Sequence, residues 1–220
     1  MSYNIAIDGP AGAGKSTIAK MVSKDLAFIY VDTGAMYRGI ALYLLTNHVD
    51  VADIEAVKKA LTEINLSIEY QQGEQQVMLN GENVSDRIRR EEVGNMASKA
   101  AALPPVREKL LELQRNLARE NDVVMDGRDI GTNILPKAHL KIYLTASTDT
   151  RADRRYKELT EKGISCRLED IKADIEQRDY QDMHREIAPL TQAEDAVYLD
   201  SSDLTIAEVV EKIKNLVTKS

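Results

Sequence analysis

Close to the start of the chain, glycines at 9, 12 and 14 lead directly into Lys15, Ser16 and Thr17, and the run Gly9-Pro10-Ala11-Gly12-Ala13-Gly14-Lys15-Ser16-Thr17 has the spacing G-x-x-x-x-G-K-[ST]. An apolar stretch, Tyr3 to Ile7, precedes it and reads as a strand; the residues that follow read as a helix. Glycines let the backbone turn so tightly that successive N–H groups converge on one point, and the positive end of the helix dipole is added there. Such a turn is a cradle for phosphate oxygens. Lys15 is placed to reach the β- and γ-phosphates of a nucleotide, and Ser16 carries a hydroxyl where loops of this kind hold Mg²⁺. Thr17 continues the helix start. The pattern restricts the chain to an α/β architecture built from strand, loop and helix, and leaves the second substrate open.

With 220 residues the chain can bury one sizeable core, carrying subdomains at most. A net charge of −7 gives no general excess of Lys or Arg to displace counterions from a nucleic-acid polymer. The single cysteine, Cys166, cannot close an internal disulfide and has no companion at metal-ligand spacing. This suits a reducing compartment. The loop begins at residue 9, which leaves no room for a signal peptide, and no apolar run has the length of a membrane span. The expectation is a cytoplasmic protein with no membrane partner.

Five short apolar runs, Tyr3–Ile7, Phe28–Val31, Val123–Met125, Leu140–Leu144 and Val197–Leu199, alternate for the most part with helical patterns. That alternation predicts a doubly wound parallel sheet, whose ligands bind at the carboxyl ends of the strands. Ile18, Val22 and Leu26 form a core-facing stripe behind the loop; Val106, Leu110, Leu113 and Leu117 share a face of a helix begun near Pro105, with Pro104 ending the one before. Ile206, Val209, Val210, Ile213, Leu216 and Val217 make a similar stripe near the end. Two segments break the alternation. Residues 66–70 and 76–79, punctuated by Gly73 and Asn80-Gly81, predict a small inserted antiparallel sheet. Residues 148–188 are charged and helical, with a stop at Gly163. Two such lobes around a phosphate loop suit closure over substrates, which keeps water from the donor.

Asp126-Gly127-Arg128-Asp129 leaves the end of a strand near the expected phosphates. Asp126 suits Mg²⁺ coordination, directly or through water, or else a turn cap. Arg128 and Asp129 suit a planar polar ligand or a mutual ion pair. In Asp32-Thr33-Gly34-Ala35-Met36-Tyr37-Arg38, Thr33 could cap a helix or donate to phosphate, Arg38 could reach an anion, and Tyr37 is spaced with Ala41 and Leu45 for the core. Ile171, Ile175, Arg178, Asp182 and Arg185 share one helix face that changes from apolar to Arg–Asp–Arg, as if leaving core for a charged cleft; an exposed ion-pair ladder is the alternative. Of Arg151, Arg154 and Arg155, one or two face the transferring phosphate and the rest are solvated. A reader of cytosine needs a carboxylate for the N4 amino group beside an arginine or hydroxyl, and Asp129, Arg107 and Ser98 have those groups, although spacing alone does not bring them together. No N/T-K-x-D motif of a guanine-nucleotide switch occurs; other small-molecule kinases, for UMP, AMP or a non-nucleotide metabolite, remain the alternative class.

These motifs together, with Ile130-Gly131-Thr132, Arg151-Ala152-Asp153-Arg154-Arg155, Gln177-Arg178-Asp179 and Arg185-Glu186-Ile187-Ala188-Pro189-Leu190, resemble those of bacterial cytidylate kinases, of the nucleoside monophosphate kinase fold, over essentially the whole chain. The resemblance implies a P-loop fold with a five-stranded parallel sheet. The core would span about 1–61, 104–147 and 189–220, the monophosphate-binding insert 62–103 and the lid 148–188. Gly9, Pro10, Ala11, Gly12, Ala13, Gly14, Lys15, Ser16 and Thr17 would cradle ATP. Ser98, Arg107 and Asp129 would read cytosine, Arg38, Arg128, Arg178 and Arg185 would hold the acceptor phosphate, and Asp182 the sugar hydroxyls, with Thr33 and Tyr37 completing the acceptor site. Lys15, Arg128, Arg151, Arg155, Arg178 and Arg185 would carry catalysis, with Mg²⁺ at Ser16. The implied reaction is phosphoryl transfer from ATP to CMP or dCMP by a monomer.

Overall fold

The computed structural model describes residues 2–217; Met1 and residues 218–220, which the expected domain limits include, lie outside the described residues. Five strands, β1 (Asn4–Asp8), β2 (Ile29–Asp32), β6 (Val123–Gly127), β7 (Leu140–Thr145) and β8 (Val197–Asp200), form one sheet in the order β2-β6-β1-β7-β8, every pair parallel. The five apolar runs of the sequence are these strands. Three further strands, β3 (Leu66–Gln71), β4 (Glu74–Leu79) and β5 (Glu82–Asn83), make the small antiparallel sheet. Its hairpins turn at Gln72-Gly73 and Asn80-Gly81, all four residues at positive φ, as tight two-residue turns require.

The parallel sheet is covered on both faces, so its strands are apolar throughout rather than alternating. On one face Ile5, Ile7, Val124, Ile142 and Leu144 meet helices α1 (Lys15–Leu26) and α8 (Ile206–Leu216). On the other, Ala6, Val31, Val123 and Met125 meet α2 (Thr33–Thr46), α3 (Ile54–Glu63), α4 (Glu91–Ala100) and α5 (Pro104–Glu120). Helices α6 (Thr148–Glu161) and α7 (Leu168–His184) stand apart on a small core of Ala152, Ile171 and Ile175, with Leu159 and Cys166 packed against it, and Gly163 follows α6 at φ 72°.

Local details depart from expectation in three places. Pro104 opens α5 instead of ending α4, which stops at Ala100; proline is tolerated in a first turn because its missing N–H would have no partner there. The buried stripe of α5 runs Val106, Leu110, Gln114, Ala118, so Leu113 and Leu117 flank it. The stripe of α8 is buried only at Val209, Val210 and Ile213; Ile206 and Leu216 at its ends are exposed.

The small sheet is fastened to the edge strand β2 by side chains. Gln75 accepts from the Asp32 amide at 2.8 Å and donates to the Asp32 carbonyl at 3.1 Å, while Tyr70 donates to the Tyr30 carbonyl at 3.1 Å. Behind this contact α2 carries Gly39, where a Cβ would lie 2.6 Å from Leu66 Cδ1 and 3.1 Å from Val77 Cγ1. Helix and sheet meet there without room for a side chain. Gly39→Val is therefore expected to lower stability by about 2 kcal/mol through overpacking, read as a melting-temperature drop of several degrees, and Leu66→Ala in the same chain should restore part of it.

Candidate functional site

All five parallel strands end at one edge of the sheet, and many of the candidate residues from the sequence lie near that edge. β1 ends at Asp8, whose carboxylate accepts from the Ile130 and Gly131 amides at 2.7 Å each. This ties the end of β1 to the turn after β6, a single π turn over Ile130–Ile134. Burial pushes the Asp8 carboxyl up to about 6. The chain then turns at Gly9, φ 150°, where a Cβ would come within 1.9 Å of the Leu144 carbonyl oxygen. Only glycine permits the loop to pass so close over β7.

Gly14, φ 83°, precedes α1, and no side chain caps that helix start. Its first N–H groups are available to an anion. Lys15 is buried, and its Nζ donates to the Pro10 carbonyl at 2.7 Å. Burial first, then the Arg128 guanidinium, hold its pKa well below the ordinary lysine value. Ser16 donates its hydroxyl to Asp126 Oδ2 at 3.0 Å, and Tyr30 donates to Asp126 Oδ1 at 2.9 Å. Burial, then the neighbouring Asp32, push the Asp126 carboxyl above the ordinary range. The site thus contains buried charges of both signs whose ionised forms are penalised, an arrangement that added counter-charges relieve.

Asp32 caps α2 by accepting from the Ala35 amide at 2.9 Å. That frees Thr33 from the capping role, and its hydroxyl instead donates to the Asp126 carbonyl at 2.8 Å. The Arg38 guanidinium lies beside Gly34. Tyr37 belongs to the core as well as the site: its ring is buried, with the Arg107 guanidinium 5.8 Å from its centre, and burial pushes its hydroxyl up to about 12.

Asp129 is the most heavily committed carboxylate. Oδ2 accepts from Arg107 Nη2 and from Asn133 Nδ2 at 3.1 Å, and Oδ1 accepts from Arg185 Nη2 at 3.0 Å. All three charged side chains are at least nine-tenths buried. Arg185 also donates through Nε to the Ala188 carbonyl at 2.7 Å. Arg128 donates to Asp182 Oδ2 at 2.7 Å. Ser98 does not join Arg107 and Asp129; it lies across Arg185, in a cleft of about 290 Å³ that it lines with Asp182 and Arg185 between α4 and α7. Arg178 bridges the same elements from outside, donating to Asn95 Oδ1 at 2.8 Å and pairing with Asp174 at 3.0 Å.

The three arginines of α6 separate. Arg151 is buried under the loop, donating to the Ala11 carbonyl at 2.8 Å and pairing with Asp179 at 2.6 Å. Asp179 in turn accepts from the Ala11 amide at 3.2 Å. Arg154 donates to the Ser201 carbonyl at 2.7 Å, and Arg155 pairs with Glu158 at 2.7 Å on the exposed face. Sequence reasoning had assigned no role to Asp8, Asn133 or Asp179. Asp8 had a signal in its place at a strand end, and Asp179 in its position next to Arg178; Asn133 had none.

A glycine-rich loop leading into an uncapped helix start therefore shares one edge of the sheet with a buried carboxylate held by two arginines and with a second arginine–carboxylate pair, Arg128 with Asp182. A family model described as cytidylate kinase matches residues 5–219. A Lactobacillus gasseri protein named cytidylate kinase is 50% identical over 215 residues, 98% of this chain and 94% of its own length. A Streptococcus pneumoniae protein of the same name is 53% identical over 214 residues, 97% of this chain and 96% of its own. Among solved structures, an uncharacterized protein from Eubacterium ventriosum, 10% identical, shares the fold at a TM-score of 0.54 over 97% of each chain. From the first strand to the last helix the correspondence is continuous, and the chain belongs to the cytidylate kinase family.

Proposed function

We propose that the protein transfers the γ-phosphate of ATP to CMP or dCMP, giving ADP and CDP or dCDP, as a cytoplasmic monomer acting on small nucleotides. The observation that carries this reading is the buried contact of Arg107 with Asp129, on the strand end that also presents Asp126 to Ser16 of the phosphate loop. One strand end thereby offers a base-reading pair and a donor-phosphate site side by side. Asp129 is an acceptor for the N4 amino group of cytosine, Arg107 a donor for its N3 and O2, and Ser98 a further hydroxyl brought in when the cleft closes. Uracil has an acceptor where cytosine has the amino group, and faces the same carboxylate unfavourably.

Residues 9–17 take the triphosphate on backbone amides and Lys15, which exchanges the Pro10 carbonyl for phosphate oxygens. Residues 62–103 form the monophosphate-binding lobe and 148–188 the lid. Arg38, Arg128, Arg178 and Arg185 hold the acceptor phosphate, Thr33 and Tyr37 complete its surroundings, and Asp182 orients the sugar. Arg151, fixed to Ala11 by its own bond and by Asp179, brings the lid to the donor phosphates, with Arg155 joining once it leaves Glu158. The Ser16 hydroxyl and the Asp126 carboxylate are hard oxygen donors, few in number, which fits Mg²⁺ that keeps several waters and takes its other ligands from phosphates. Held by Ser16 and Asp126, Mg²⁺ would supply charge neutralisation to the phosphoryl group in transfer.

The attacking oxygen of a nucleoside monophosphate is already anionic near neutral pH, so no strong base is needed. Catalysis consists of aligning donor and acceptor and of cations stabilising the transferring group. Asp129 and Asp182 orient the acceptor and do not remove a proton.

A panel of acceptors, CMP, dCMP, UMP and AMP, coupled to ADP release tests the assignment; CMP and dCMP are expected to be preferred, and preference for UMP or AMP would defeat it. Lys15→Met should lower kcat about a hundredfold or more with an unchanged circular dichroism spectrum, since it removes the only loop side chain able to neutralise the transferring charge. Asp129→Ala should erode the CMP over UMP preference in kcat/KM by about tenfold or more, because the acceptor for the amino group is gone; unchanged relative efficiencies would reject its role.

A further inference from the structure

Both oxygens of Asp129 are engaged by buried side chains. Arg107 and Asn133 both hold Oδ2, which fixes the plane of the carboxylate, and Arg185 holds Oδ1. Oδ2 already takes two donors and the side chain is buried, so a base meets this carboxylate at Oδ1, the oxygen covered by the buried Arg185 guanidinium. We propose that Arg185 is exchanged between Asp129 and the acceptor phosphate, and that the amino group of the base drives the exchange. The inference rests on the reading of Asp129 as the base-binding carboxylate and of Arg185 as a phosphate ligand.

The chemistry of the two donors is matched. Arg185 gives Oδ1 one N–H, and an exocyclic amino group gives the same oxygen one N–H. Cytosine therefore releases Arg185 without leaving Asp129 unsatisfied. A carbonyl at that position cannot do so, because two acceptors would then face each other in a buried site, where an unpaired carboxylate oxygen is strongly disfavoured. With such a base Arg185 stays on Asp129, and the phosphate lacks one of its cations. Arg185 is the residue following the last turn of α7, and its release also frees that end of the helix to move toward the phosphates. Base identity is thus converted into the rate of phosphoryl transfer, at a point remote from the base.

The distinguishing measurement is the single-turnover rate of transfer from ATP at saturating acceptor, which separates chemistry from binding and product release. CMP, UMP and pyrimidin-2-one riboside 5′-monophosphate, which carries hydrogen in place of the amino group, are compared. In the unaltered enzyme CMP is expected to react roughly tenfold faster or more than both others, the size of effect that an unpaired buried group produces. Loss of the donor alone, with no carbonyl added, must suffice. In Arg185→Met the CMP rate should fall to within about threefold of the UMP rate, which should itself change little, because neither acceptor then has this cation on its phosphate. A pyrimidin-2-one substrate that reacts as fast as CMP overturns the exchange, as does an Arg185→Met enzyme that slows both acceptors by the same factor. The analogue comparison decides the matter if that variant does not fold. Asp129→Ala separates the two levels of the argument. If it leaves the CMP preference intact, the base-reading assignment itself fails; if it removes the preference while Arg185→Met keeps the CMP to UMP rate ratio, only the exchange fails.

Discussion

The two hydrogen bonds from the Ile130 and Gly131 amides to Asp8 hold the site together. A parallel sheet brings its strand ends to one edge, but each strand then departs into its own loop, and nothing in the sheet fixes one loop against another. Asp8 supplies that constraint, joining the start of the phosphate loop to the turn that carries Arg128, Asp129 and Asn133. With β1 and β6 adjacent in the sheet, a buried carboxylate that satisfies two backbone donors leaves the two loops little freedom relative to each other. The glycine-rich loop and the turn after β6, the proposed donor and acceptor halves, are therefore parts of one edge.

Around that edge the charges are paired with one another, Arg128 with Asp182, Arg185 and Arg107 with Asp129, Arg151 with Asp179. Buried pairs of this kind contribute little net stability, since desolvation offsets much of their attraction. What they give is a set of side chains already ordered, whose partners a charged substrate can replace. α7 supplies one member of each of two of these pairs, Asp182 and Asp179, and Arg185 follows its last turn, so three of the paired groups are carried by one helix and its end.

Most of the fold was legible because apolar runs and turn residues report local structure directly. The five core strands follow from β-branched and aliphatic runs, and the inserted hairpins from Gly73 and Asn80-Gly81, whose left-handed backbone demands such residues. Helix limits were less legible where a proline could serve either as a stop or as a first-turn residue, as at Pro104. The phosphate loop was readable because its chemistry lies in one contiguous stretch. The proposed base reader was not, since Arg107 and Asp129 come from different elements and only the packing of α5 against the turn after β6 brings them into contact. Asn133 was invisible for the same reason in sharper form: its meaning lies in which oxygen of Asp129 it holds.

The attachment of the small sheet to β2 has a consequence for how the protein survives at high concentration. β2 is an edge strand, and an exposed edge offers unpaired amides and carbonyls to any other chain. Gln75 occupies both groups of Asp32, and Tyr70 the carbonyl of Tyr30, so the inserted lobe blocks part of that edge with side chains that pair without extending the ladder. Without these bonds the amide and carbonyl of Asp32 and the carbonyl of Tyr30 would stand uncovered on that edge. Cover for the sheet edge and the position of the small sheet thus depend on the same three hydrogen bonds.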